Sequence, residues 1–401
     1  MSSRPWVKPV GWVVIVLFPV LVLACVEAAV RLLGIEPSVE RSASVPAWLD
    51  RNVLVKEQRW IELLSEHPRD MHNYYRTYRW DRHLFYRLQP DLDIPLTDVM
   101  APPEIRERTR WLFHTNSRGF NAREGPLEKP AGTFRILTLG DSSTFGWGVD
   151  TEAAYPHVLE RLLGRRHPGV RIEVINLGVC GYSSFQGRLL LEQEALAYRP
   201  DIVTLSYGSN DYSKVPETFE AAHARNQGWS GALREVLNRS LAYRIYAAYL
   251  TSRFLSETAA GEEDDLVFNV GPERSRANLE EMARFSIDRG LEPIFVTNCV
   301  PEEMSEPIRA AARETGTPLL ETAEVLEGAV GEILEGRRFS REFAATRGLY
   351  GPAAIADHPW LAVYLTDRCH PNVTGHMLIA EALASMVESS RSFRSFLSGQ
   401  Q

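Results

Sequence analysis

The segment Thr133-Phe-Arg-Ile-Leu-Thr-Leu-Gly-Asp-Ser142 carries the clearest architectural signal in the chain. Its first seven residues form a short run rich in apolar and β-branched side chains, and it stops at Gly140. Such a run reads as a strand buried on both faces, the kind that parallel sheets use. Beyond it, Glu152 to Arg166 carries a helical pattern, and Arg171-Ile-Glu-Val-Ile-Asn176 reads as a second strand. Helix is expected again from Phe185 to Tyr198, strand over Asp201–Tyr207, helix over Arg274–Arg289 and strand over Glu292–Asn298. A short fifth strand, Pro318-Leu-Leu320, leads into helix from Thr322, and Asn372 to Val387 is a final helix. Strands alternating with helices of this length predict an α/β architecture with a five-stranded parallel sheet covered on both faces.

Two stretches interrupt the alternation, 212–270 and 335–362. The first holds the aromatic helical pattern Leu241-Ala-Tyr-Arg-Ile-Tyr-Ala-Ala-Tyr249, the second Arg337, Arg338, Arg341 and Tyr350. Both follow strand ends, where an open α/β sheet carries its ligand crevice, so they are read as lid or pocket insertions. Residues 35–132 precede the regular pattern. They hold closely spaced prolines, among them Pro90, Pro95, Pro102 and Pro103, which permit only short elements. Their aromatic content argues for a collar packed on the main domain, not for a disordered stalk. The domain is placed at 133–390, with a tail at 391–401.

The N-terminus differs from the rest. Arg4 and Lys8 precede an uncharged run from Pro9 to Val26, and Glu27 interrupts it. A spanning helix needs roughly 20 apolar residues, so the run is just long enough with Glu27 at the interface. Residues 1–34 are read as a cytoplasmic start and an uncleaved transmembrane signal anchor, with residues 35–401 outside. A cleaved signal peptide lacks a clean small-x-small site. A lipoprotein signal could use Leu23-Ala24-Cys25, but the apolar helical pattern continues to Leu33.

Composition bounds the function. A formal net charge of -8 without long charged runs argues against a nucleic-acid partner. The four cysteines, Cys25, Cys180, Cys299 and Cys369, form no C-x-x-C pair, and His83, His114, His157 and His358 show no ligand spacing. Neither a metal nor a cofactor is expected, and the sequence does not speak to oligomeric state.

The chemistry-bearing residues lie at strand ends. Gly140-Asp141-Ser142 closes the first strand, so Ser142 opens a helix whose N–H groups and dipole favour an oxyanion. Asn176-Leu-Gly-Val-Cys-Gly181 follows the second strand, its glycines suiting close approach of backbone to a ligand. Gly208-Ser209-Asn210-Asp211 follows the third strand and offers an amide donor. Asp367-Arg-Cys-His370 precedes the final helix and can supply a base and the carboxylate that orients it. Serine is a weak nucleophile until an imidazole accepts its proton, and an aspartate holds that imidazole in the right tautomer. No Gly-x-Ser-x-Gly elbow occurs. Asp141 is read as a turn and capping residue, Trp147 as packing at the pocket edge, His376 as a packed histidine and Arg118 as structural.

Thr138-Leu-Gly-Asp-Ser-Ser-Thr-Phe-Gly146, the Gly181 loop, Gly208-Ser-Asn-Asp211 and Asp367-x-x-His370 together resemble, in order, the four blocks of the SGNH/GDSL hydrolase family. Ser143 stands where many members carry leucine. The resemblance covers about 133–390. It implies a flavodoxin-like three-layer sandwich, with Ser142 as nucleophile, His370 as base and Asp367 as its orienter. It implies oxyanion donors from Ser142, Gly181 and Asn210. Cys25-Val-Glu-Ala-Ala-Val-Arg-Leu-Leu-Gly34 and Asn116-Ser-Arg-Gly-Phe120 resemble a membrane-anchored bacterial subgroup. The expected activity is serine-dependent hydrolysis of a small-molecule or glycan carboxylic ester through an acyl-enzyme, such as deacetylation of an envelope glycan. Transfer of the acyl group to a glycan is the alternative, and a non-catalytic carbohydrate-binding or assembly role the second. The family's strand order also brings Cys299 and Cys369 to one edge of the sheet, where a disulfide could form.

Overall fold

The computed structural model describes residues 7–35, 77–98, 101–247, 266–297 and 304–400, with side chains in the first segment described from residue 18. Its centre is a parallel sheet of five strands. Two of them, β5 (Thr133–Gly140) and β6 (Arg171–Gly178), begin the domain, and β7 (Ile202–Ser206), β10 (Glu292–Thr297) and β11 (Leu319–Glu321) complete it in the order β11-β10-β7-β5-β6. Every residue of β5 is buried, as its unbroken apolar reading requires. The chain leaves β5 toward β6 on one side and returns to β7 on the other. That reversal makes the C-terminal end of β5 a topological switch point, where open α/β sheets hold ligands.

Alternating side chains feed two separate cores. Leu137 and Leu139 of β5 face Phe185 and Leu189 of one helix, Leu279 and Met282 of a second, and Ile308 of a third. Phe134 and Ile136 face Leu159 and Leu163 on the opposite side, with Leu326, Leu378, Leu383 and Phe393. Successive residues of a strand point to opposite faces, so both layers are specified by one strand. Besides one helical turn in the collar, Pro103–Arg106, and the helical stretch 241–247, the α-helices among the described residues are, in chain order, α1 (Val7–Leu32), α2 (Ser142–Phe145), α3 (Tyr155–Arg166), α4 (Ser184–Gln193), α5 (Phe219–Gln227), α6 (Trp229–Leu237), α7 (Pro272–Ile287), α8 (Glu306–Thr315), α9 (Thr322–Leu334), α10 (Ser340–Tyr350), α11 (Pro352–Asp357), α12 (Val373–Ser389) and α13 (Arg391–Gln400). The segment expected to be a tail is therefore α13. Phe393 anchors it edge-on against Phe134, their ring centres 4.9 Å apart.

The described part of the collar is two antiparallel hairpins, β1 (Tyr78–Asp81) with β2 (Phe85–Leu88) and β3 (Leu92–Leu96) with β4 (Trp111–Thr115). Residues 36–76 lie outside the described part. The collar's Phe85, Trp111 and Phe113 are buried in the same core as Phe145 and Phe185, which fits a collar packed on the main domain. In the first insertion, β8 (Lys214–Val215) pairs with β9 (Val267–Phe268). Arg82 of the collar donates to the carbonyls of Asn226, Gln227 and Gly228, so α5 and α6 are held by the first hairpin.

The N-terminal run is one continuous helix, α1. Among the described residues no helix is long and apolar enough to cross a membrane. The transmembrane helix expected from the sequence is thus not found. The side chains of 9–17, the first half of the apolar run, lie outside the described part.

A close approach between β6 and α2 gives a direct test of the packing. A Cβ on Gly178 would lie 2.4 Å from the backbone nitrogen of Phe145 and 2.8 Å from the carbonyl carbon of Thr144. Neither atom can move without shifting α2. Gly178→Ala is expected to destabilise the fold by about 1–3 kcal/mol and to displace Ser142. Urea denaturation checks it, and an unchanged midpoint with full activity would contradict this packing.

Candidate active site

Ser142 is the first residue of α2, immediately after β5. Asp141 caps that helix, accepting from the N–H of Ser143 at 3.0 Å, so its capping role agrees with the sequence. The turn is tight enough that a Cβ on Gly140 would strike the Thr144 hydroxyl. The far end of α2 is held by two asparagines. Asn176 donates to the carbonyls of Thr144 and Phe145, and Asn121 of the collar donates to Phe145 as well. Neither clamp was singled out from the sequence. Asn176 opens a quoted motif, but only its glycines drew notice.

Asp367 and His370 sit in the loop before α12. The loop turns through Arg368, whose φ of 53° is a left-handed conformation uncommon outside glycine. That turn lets Asp367 Oδ1 accept from the N–H groups of both Cys369 and His370 at 2.9 Å. His370 Nδ1 lies 2.5 Å from Asp367 Oδ2, and His370 Nε2 lies 2.8 Å from Ser142 Oγ. The structure thus joins the three expected residues in one relay. With Nδ1 protonated toward the carboxylate, Nε2 is free to accept the hydroxyl proton.

Burial alone would push the Asp367 carboxyl up, but the His370 charge, the hydrogen bond to it and the two N–H donors outweigh this and hold it at about 2. For His370, burial pushes down, and the charge and hydrogen bond of Asp367, followed by Asp141 and Asp98, leave it above the usual imidazole value. Asp98 comes from the collar. It accepts from the Thr366 hydroxyl at 2.9 Å, one residue before Asp367. Tyr350 of the second insertion also feels Asp98 and Asp367, although burial is the main reason its phenol is raised.

The two remaining expected residues lie in the loops after β6 and β7, the strands on either side of β5. Gly181 has φ of 79°, and its loop is gripped by the collar. Tyr86 donates to the Cys180 carbonyl at 3.0 Å, and Tyr182 donates back to the Tyr86 carbonyl at 2.7 Å. Asn210 follows Gly208, and its amide donates to Asp141 Oδ2 and to the Tyr182 carbonyl, each at 3.2 Å. Ser209 donates to the same Asp141 oxygen at 2.9 Å. Asp141 therefore ties the third-strand loop to the turn of Ser142, beyond its capping role. Both amide hydrogens of Asn210 are engaged by long bonds, so donation to an oxyanion would exchange one of them.

Trp147 is buried with its ring centre 6.1 Å from that of His370. His376 is fully buried and accepts from the Tyr155 N–H, and burial drives it down to about 3, so it stays a neutral packed side chain. Arg118 donates to the Gly125 carbonyl and lies over the Tyr198 ring. Asp367, Cys369 and His370 are close enough together to offer a cation three donor atoms. Yet Cys369 is in a disulfide, and Oδ2 and Nδ1 are bonded to each other, so this donor set does not suit a metal. Cys25 and Cys180 are not in disulfides. Cys299, the partner expected for Cys369, lies outside the described residues.

The model of the GDSL-like lipase/acylhydrolase family matches residues 138–378, more than half of the chain. The chain belongs to that family. It is accordingly a serine hydrolase acting on carboxylic esters. The matched residues of this GDSL-family hydrolase run from β5 into α12 and so include Ser142, Asn210, Asp367 and His370. Solved structures similar to it include a lipolytic protein of the G-D-S-L family from Desulfitobacterium hafniense, 17% identical over 63% of this chain and 98% of that one, with a TM-score of 0.36. An acetylxylan esterase from Geobacillus stearothermophilus is 17% identical over 63% and 93%, with a TM-score of 0.36. A two-domain esterase active on acetylated mannans is 17% identical over 66% and 51%, with a TM-score of 0.39. A search among curated proteins finds no match.

Proposed function

We propose that this hydrolase removes acyl groups from a glycan ester through an acyl-enzyme on Ser142. The observation that carries the reading is the unbroken relay Ser142 Oγ–His370 Nε2, His370 Nδ1–Asp367 Oδ2. His370 takes the hydroxyl proton as Ser142 attacks the ester carbonyl. The tetrahedral oxyanion is met by the N–H groups of Ser142 and Gly181 and by the Asn210 amide. Collapse breaks the ester C–O bond, and His370 returns the proton to the departing alcohol. Water, activated by the same imidazole, then releases the acid. Acetyl is the acyl group favoured, since similar folds include esterases active on acetylated xylan and mannan.

The test is acyl release from p-nitrophenyl esters of increasing chain length and from acetylated oligosaccharides, with a free glycan acceptor in a parallel arm. Acetate released from the sugars supports the reading. Acetyl appearing on the acceptor, with little free acetate, would replace hydrolysis by transfer. Asn210→Ala separates two roles for the amide. As an oxyanion donor its loss is expected to lower kcat by roughly 10²–10³-fold with KM little changed. A fall in thermal stability with kcat intact would make Asn210 a structural tie to Asp141.

The α1 segment is proposed to anchor the chain, with residues 35–401 outside the cytoplasm. Arg4 and Lys8 ahead of the apolar run support that orientation. Protease added to intact spheroplasts is expected to digest the catalytic domain. Its full protection until lysis would reverse the orientation.

A further inference from the structure

Helix α6 carries an exposed apolar stripe. Trp229, Leu233 and Val236 stand at i, i+4 and i+7, on one face, and are 81%, 48% and 61% exposed. The one buried residue of α6 is Gly231, with Ala232, Arg234 and Leu237 half-buried beside it. Arg234 lies over the Trp80 ring of the collar, 5.1 Å from its centre, and Glu235 approaches Arg82 at 4.0 Å. A surface helix that turns an apolar stripe with a tryptophan away from its own domain has a second surface to meet.

The contacts of α1 indicate which surface. Glu27 of α1 accepts from the Ser240 hydroxyl and from the N–H groups of Leu241 and Ala242, at 2.8, 3.0 and 2.9 Å. It thereby caps the helical turns 241–247, three residues beyond α6. Arg31 donates to the Arg239 carbonyl at the same junction. The apolar side chains of α1 near this contact, Leu21, Leu23 and Val26, are exposed, as is Tyr246. Two apolar surfaces from distant parts of the chain are therefore joined by a built polar contact. The charge beside them is basic: Arg234, Arg239 and Arg244 stand against Glu235 alone between Trp229 and Ala247, in a chain of net charge -8.

We propose that α6 is an interfacial helix, which lays Trp229, Leu233 and Val236 into the headgroup region of an anionic bilayer beside α1. Interfacial helices combine this apolar face with basic flanks. The proposal rests on the anchor reading of α1 and adds a second, peripheral contact. A domain tethered by one helix can tumble on its linker. The Glu27 cap and the α6 face would fix its orientation and its height above the membrane.

Site-directed spin labels test this in the full chain, with Cys25→Ser removing the exposed thiol. One label is placed by Leu233→Cys and another by Leu21→Cys, in vesicles of phosphatidylglycerol and phosphatidylethanolamine. If both labels relax faster with oxygen than with a water-soluble nickel chelate, the proposal stands. If the label at 21 does so while that at 233 stays open to nickel, the anchor survives and the proposal falls. If neither is immersed, both readings fall. If the label at 233 is already immobilised without lipid, the face is a contact between protein chains, and the proposal falls.

Discussion

Ser142→Ala is expected to lower kcat/KM for any ester substrate by about 10⁴-fold or more while leaving the fold intact. The size follows from the way nucleophile and base act as one unit. Without the hydroxyl no acyl-enzyme forms, and what remains is water attacking a carbonyl bound near the oxyanion donors. The side chain of Ser142 is seen bonded only to His370 Nε2 among the described contacts. Its removal therefore has little to unbalance in α2, whose ends are held by Asp141, Asn121 and Asn176. Thermal unfolding measured beside the kinetics separates the cases. A large fall in melting temperature would shift the interpretation from chemistry to folding.

Asp367→Asn is expected to cost about 10³–10⁴-fold and to alter the pH profile. In the wild type the activity needs neutral His370. Its pKa is raised, so the acid limb of kcat/KM lies above the usual imidazole value of about 6.5. Removing the Asp367 charge removes the main cause of the rise. The residual activity should therefore keep its neutral base to lower pH, and the limb should move down. A limb that stays in place would contradict the assignment of His370 as the titrating base.

The same pair bears on stability, with opposite signs for its two members. The folded pKa of His370 lies above its unfolded value. Its contribution is complete below the unfolded value and is lost as pH rises through the folded one. The folded pKa of Asp367, about 2, lies below its unfolded value near 3.9. Its contribution is present above the unfolded value and is lost as pH falls toward 2.

The five strands and the relay residues were legible because they carry strong local signals. An apolar run ending in glycine marks a buried strand, and a serine and an asparagine at strand ends, with a histidine just before the final helix, are hard to assign to the core. Helix α8 was not read from the sequence. Its buried face is Ile308, Ala311 and Ala312, and alanines give a weak periodic signal. The collar hairpins escaped for another reason. Their strands are four or five residues long, β3 contains Pro95, and the backbone is left-handed at Phe85, where β2 begins, and at Asp91, just before β3. Only the main domain gives such strands a face to bury against. The polar ties were the least legible part. Asn121, Asn176 and Asp98 reach the site across 24, 32 and 268 positions of sequence, and no local pattern announces a partner so far away. The C-terminal segment looked like a tail because its apolar residues are few, yet Phe393 and Phe396 both pack on Phe134 of β5, and Leu397 joins the same core.

The covalent step at Ser142 is the one on which every proposed role in the site depends. Labelling the full chain with a fluorophosphonate, followed by peptide mass mapping, reads that step without knowledge of the natural substrate. The adduct is predicted on the peptide containing Ser142, and it should be absent from Ser142→Ala. Equal labelling of the variant, or an adduct on another residue of the wild type, would contradict it.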